Sequence, residues 1–235
     1  AYTGIWVISP KRLFTGNWKD ELWLVAGGIF GGSLYFFTEN TALGITQASN
    51  VSFIICTAPL LTTILSLLFY KSEKASKGLI YGSLLALMGV GLIVFNGSFV
   101  LKISPIGDLL TLLAALSWAF YSLIIKKMAG RYPTVFITRK IFFYGVLTIL
   151  PAFLLHPLQP DTAVLLQPGV LFNLLFLAVL ASLICYVLWN VVLKQLGTVR
   201  ASNYIYLNPL VTMIASSLIL DEKITLVALG GAACI

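Results

Sequence analysis

Apolar residues run along this chain in blocks long enough to cross a lipid bilayer. Seven such blocks are complete: Glu21–Leu43, Ser49–Tyr70, Lys77–Asn96, Gly107–Lys127, Pro133–Leu155, Val170–Leu193 and Arg200–Leu220. An eighth begins near Thr225. Most contain about 20 residues, the number a helix needs to traverse the hydrocarbon core. The turn at Gly44–Ala48 is so short that the first two spans must be antiparallel neighbours. His156–Gly169 carries Pro157, Pro160 and Pro168 and reads as a loop. The pattern predicts an all-α polytopic transmembrane bundle, with about eight helices present.

Composition agrees. Of 235 residues 59% are hydrophobic and 10% charged, and the mean hydropathy is +0.98. Soluble domains carry charge on about a quarter of their residues. The net charge of +7 has no basic stripe or aromatic-basic module behind it, so a nucleic-acid partner is not expected. Cys56, Cys185 and Cys234 sit in apolar runs without CxxC spacing, which argues against disulfides and metal sites.

The basic residues orient the spans. Apart from Lys102 and Lys223, all 15 fall at four connections on one side: before the first span, and after the second, fourth and sixth. The positive-inside rule makes that side cytoplasmic. Arg139 and Lys140 follow Pro133 by several residues, which predicts that Arg139 snorkels to the headgroups and the crossing begins near Ile141. Trp18 and Trp23 suit an interfacial anchor.

Two stretches echo each other: Leu43-Gly44-x-x-x-Ala48-Ser49-Asn50 and Leu196-Gly197-x-x-x-Ala201-Ser202-Asn203. A proline follows each (Pro59, Pro209), and each run closes on an acid–lysine pair (Glu73–Lys74, Glu222–Lys223). The Asn-to-Pro spacing differs between copies by about one helical turn. Five spans, an odd number, begin between the two copies, so the copies would run in opposite senses. Residues 1–100 and 101–235 are the expected halves. Inverted repeats of this kind mark secondary transporters that alternate access around a site between them.

With these features and the phrase Glu39-Asn40-Thr41-Ala42-Leu43, the chain resembles the drug/metabolite transporter superfamily, and within it the EamA-type bacterial members. The resemblance implies ten helices in two inverted five-helix halves, in the inner membrane, exporting amino acids, drugs or other small metabolites. Protons are the partner ion where coupling is known. Against that fold the chain lacks the first helix, most of the second and the end of the last. In keeping with this, Ala1–Ile8 reads as a helix tail, and Thr225–Ile235 would rise only about 16 Å as a helix.

Chemistry is sparse. Glu39 is read as the one acid inside a span, exchanging a proton, balancing a substrate amine, reaching the outer headgroups, or paired structurally. Phe36, Gly32 and Gly28 are expected on its face. Asn50 and Asn203, beside Ser49 and Ser202, are read as helix N-caps or as donors turned toward a cavity. Trp118 and Tyr121 (with Thr111 and Ser122) line one face of the fourth span, and Tyr186 and Trp189 (with Ser182 and Asn190) one face of the sixth. In the seventh, Tyr206 follows Ser202 by a turn, while Tyr204 and Asn208 pair alongside. Such faces suit a small amphipathic solute and equally an interfacial anchor. Asn40 joins Glu39 as a candidate binding residue. Pro59 and Pro209 each remove a backbone hydrogen bond and are candidate hinges. Gly27/Gly31, Gly28/Gly32 and Gly78/Gly82 have the spacing of close helix contacts.

No enzyme motif, buried carboxylate pair or cofactor signature is present in the sequence, and His156 is its single histidine. The expected partners are a small solute, protons and the bilayer. A non-transporting membrane scaffold or sensor is the alternative.

Overall fold

The structure is a computed structural model, and it describes residues 14–70, 77–95, 104–155, 162–219 and 224–235. The acid–lysine pairs Glu73–Lys74 and Glu222–Lys223 lie outside them, as do Asp221, His156, Lys102 and the basic Lys11, Arg12 and Lys71. Among the described residues the fold is all-helical.

Eight helices correspond to the apolar blocks. Helix α1 covers residues 18–45 as Trp18–Gly28, a π-helical turn Ile29–Ser33, and Leu34–Ile45. Helix α2 is broken, with Ala48–Ile55 followed by Ala58–Phe69. Then come α3 (Lys77–Phe95), α4 (Pro105–Ala129), α5 (Thr134–Leu155) and α6 (Pro168–Leu196, with a π segment Leu177–Ile184). Helix α7 is Thr198–Asn203, a 3-10 turn Tyr204–Tyr206, and Leu207–Ile219, and α8 is Leu226–Cys234. A one-turn helix Thr162–Leu165 precedes α6. Five of the helices (α2 to α6) contain stretches long and apolar enough to cross a membrane.

The prolines explain both breaks. A proline at position i cannot donate to the carbonyl at i−4. The bond missing at Pro59 is the one to Ile55, and α2 unwinds at Cys56–Thr57. The bond missing at Pro209 is the one to Ile205, inside the 3-10 turn of α7. Each proline therefore sits in the first turn after a break. The Asn residues do not cap. Gln47 is the residue before α2, leaving Asn50 inside the first turn, and Asn203 ends the first segment of α7 without a side-chain capping bond.

The chain divides into two compact units, each drawing on both halves of the sequence: Ala1–Leu34 with Ile124–Gly197, and Tyr35–Leu123 with Thr198–Ile235. In the first, α1 packs along α5, and α6 against α5. Glycine makes this possible. A Cβ on Gly28 would lie 2.8 Å from the backbone nitrogen of Gly145, and one on Gly32 would lie 3.0 Å from the Gly145 Cα. Gly28→Val is therefore expected to push α1 off α5. The purified protein should elute as aggregate, or melt many degrees lower, whereas Gly44→Ala, with open space around it, should behave as wild type.

In the second unit α8 packs on α3, and the first segment of α7 lies along the second segment of α2. The tight glycine contact here is Gly89 on α3 with Gly231 on α8, where a Cβ on Gly231 would sit 2.6 Å from the Gly89 carbonyl oxygen. Gly82, expected at a close contact, faces open space. Gly197, with φ +80°, links α6 to α7 in a conformation that side chains with a Cβ rarely adopt.

Candidate functional site

In the second unit, polar and aromatic side chains gather around Glu39. Tyr35 lies one helical turn before it on α1 and donates its hydroxyl proton to the Glu39 carboxylate at 3.0 Å. The Tyr35 ring packs against Trp118 of α4 (centroids 5.1 Å apart), and Trp118 against Tyr121 (5.2 Å). Tyr121 is fully buried, while Glu39 and Trp118 are half-buried. The result is a carboxyl group on α1 held by a phenol and walled by aromatic rings.

Gly28 and Gly32 pack against Gly145 in the first unit, whereas Glu39 belongs to the second.

The remaining candidates divide. Asn50 is buried. Asn203 and Tyr206 line a cavity of about 300 Å³ with Gly82, Ser83 and Ile235, and the Tyr206 hydroxyl lies beside Ser83. Asn40 is exposed and donates to the Phe36 carbonyl of its own helix at 2.8 Å, which occupies its amide locally. Thr111 and Ser122 are likewise bonded to carbonyls one turn back, on Gly107 and Trp118. Tyr204 and Asn208 are exposed.

Tyr186, Trp189 and Asn190 belong to the first unit. There Tyr186 donates to the Gly31 carbonyl inside the π turn of α1 at 2.8 Å, and Asn190 donates to Thr138 at 2.8 Å. A π turn displaces carbonyls from their usual i→i−4 partners; the Tyr186 phenol supplies one of them with a donor. Both residues fasten α6 to its neighbours.

The sequence reading missed a second polar centre. Lys140 is fully buried in α5, where it is ion-paired with Glu21 of α1, and Tyr144 donates to the same carboxylate. Thr15 adds bonds from its backbone amide and hydroxyl at 3.1 and 2.8 Å. Next to it Asp20 binds Arg131 at 2.5 Å and accepts from Tyr132 at 2.9 Å. Tyr132 lies between α4 and α5; burial, helped by the Asp20 carboxylate, pushes its hydroxyl pKa up. Arg139 is also buried, with its guanidinium over the Phe136 ring, so it does not snorkel. Glu39 is thus not alone as an acid in the spans. Asp20 and Glu21 open α1, where the helix dipole also favours negative charge. Asp108 opens α4, accepting from the Ser104 amide. The signal for the missed pair was present: two cations inside one apolar block need acids, and Asp20 and Glu21 stand at the start of the first block.

Membrane-length helices, broken at prolines and carrying a few aromatic-walled polar groups, define a polytopic helical membrane protein of the transporter class. The chain belongs to the EamA-like transporter family, which it matches over residues 2–95 and 105–235. An "uncharacterized transporter" of Archaeoglobus fulgidus is 29% identical, over 93% of this chain and 74% of the relative. A "probable amino-acid metabolite efflux pump" of Escherichia coli (strain K12) is 24% identical, over 93% and 76%. Its namesake in Salmonella typhimurium is 27% identical, over 97% and 79%. A solved structure described only as "Crystal structure of protein" superposes with a TM-score of 0.80 at 18% identity, covering 99% of this chain and 78% of that one, and shares the fold. Family and relatives are transporters rather than enzymes.

Proposed function

We propose that this protein exports a small neutral or cationic metabolite, amino acid or drug across the inner membrane of a bacterium by alternating access. The observation that carries the reading is the Glu39–Tyr35 pair walled by Trp118 and Tyr121. An ionisable group in a membrane-length helix is costly and generally serves a path or a partner. A carboxyl bonded to a phenol is suited to trading a proton for a solute amine, which would couple export to the proton gradient. The aromatic walls suit an amphipathic solute. Asn50, Asn203 and Tyr206 would add orienting groups, and the breaks before Pro59 and Pro209 would let α2 and α7 flex. The relatives named as amino-acid metabolite efflux pumps favour amino acids as the first solutes to try.

The test is flux in proteoliposomes of the full-length protein, with radiolabelled leucine, phenylalanine and a cationic dye under an imposed pH gradient. Movement of at least one solute several-fold above protein-free liposomes is expected. No movement of any would favour a scaffold or sensor. Equal flux with and without the gradient would make it a passive carrier.

A further inference from the structure

Buried hydroxyls in these helices mostly fold back onto their own backbone. Thr63, Thr111, Ser122 and Thr138 each donate to the carbonyl four residues earlier, at 2.7 to 2.9 Å. That habit satisfies a hydroxyl where there is no water. Four residues in the second unit break it: Ser117 on α4, and three on segments that pack together. Thr62 on α2, and Thr198 and Ser202 on α7, are fully buried and their hydroxyl oxygens have no hydrogen-bond partner. Ser66, also fully buried, continues the α2 stripe one turn beyond Thr62. Both pairs are spaced four residues apart, so each makes a stripe along one helix face. The segments that carry them, Ala58–Phe69 and Thr198–Asn203, pack against each other.

A stripe of hydroxyls in a dry helix seam is a poor choice for permanent packing. Alanine or valine would fill the space without unmet hydrogen bonds, and buried polar groups are almost always paired. The same hydroxyls are well suited to a surface that is wet for part of a cycle. Each segment also borders a backbone break, at Cys56–Thr57 and at Tyr204–Tyr206, where the helix bends with least resistance.

We propose that the Thr62/Ser66 and Thr198/Ser202 seam is a stretch of the solute path, shut in this structure, which takes up water and a hydrogen-bonding solute when the two segments part. The proposal rests on the transporter reading above. Hydroxyls both donate and accept, so they replace the hydration of amides, alcohols and amines alike. With no charged side chain in the stripe, the seam selects for solutes that are uncharged or carry a single compact charge, and disfavours polyanions.

Thiol accessibility tests it in the full-length protein. Cys56, Cys185 and Cys234 are replaced by alanine, and Thr62→Cys, Ser202→Cys and, as a lipid-facing control, Ile64→Cys are made singly and reconstituted. A charged, membrane-impermeant methanethiosulfonate reacts only with thiols that meet water. Thr62→Cys and Ser202→Cys are expected to react at least tenfold faster than Ile64→Cys, and the modification to block leucine or dye flux. Reaction at the Ile64→Cys rate, or full flux after modification, overturns the seam and leaves the transporter reading standing. Fast reaction in a protein that moves no solute before labelling overturns the transporter reading while retaining a water-filled seam.

Discussion

Lys140→Met melts far below the wild type, and adding Glu21→Gln restores most of the loss. The pair is buried, with Lys140 fully and Glu21 nearly removed from solvent. Removing only the lysine strands a carboxylate in a low-dielectric place with Tyr144 and Thr15 as its remaining donors. Breaking one side of a buried pair typically costs about 3–5 kcal/mol, whereas replacing both sides with neutral groups of similar volume is close to neutral. For a chain of this size that corresponds to a fall of roughly 6–20 °C in melting temperature. Fluorescence-detected thermal melts in detergent would read it. If Lys140→Met melts with the wild type, the pair contributes nothing to holding α1 against α5, and the close glycine contacts carry that junction alone.

Glu39→Gln has the largest expected effect on transport. Glutamine keeps the shape and still accepts from the Tyr35 hydroxyl, so the packing of Tyr35 on Trp118 should survive, and with it the fold. What it loses is the exchangeable proton and the negative charge. Proton-driven flux is expected to fall at least tenfold with little change in melting temperature. Tyr35→Phe, which removes the donor and leaves the acid, should lower flux less and shift its pH dependence. Unaltered, gradient-driven flux in Glu39→Gln would take this residue out of the mechanism.

How far the sequence was readable depends on the range over which each feature is decided. Helix positions follow from local apolar runs, and seven expected spans agree with α1 to α7 within a few residues. The proline breaks are local too, since the missing amide names the carbonyl that goes unpaired. What escaped was decided between helices. Lys140 and Arg139 look like interfacial residues when counted along their own block; they are buried because Glu21 and Phe136 meet them there. The π turn at Ile29–Ser33 leaves no mark on apolar periodicity. Asn50 and Asn203 looked like caps because they follow a turn by a few residues, and a shift of that size separates a cap from a helix interior. The glycine spacing was informative for Gly28 and Gly32 and misleading for Gly82, because spacing on one helix says nothing of whether a partner approaches it.

The whole account presumes that the two echoing stretches are threaded through the membrane in opposite senses, with five crossings between Ser72 and Thr225. Sidedness of labelling in intact cells tests this most directly, using single cysteines at those two positions and an impermeant thiol reagent. The expected result is that Thr225→Cys reacts from outside, while Ser72→Cys reacts only once the membrane is opened. Reaction of both from the same face would contradict it.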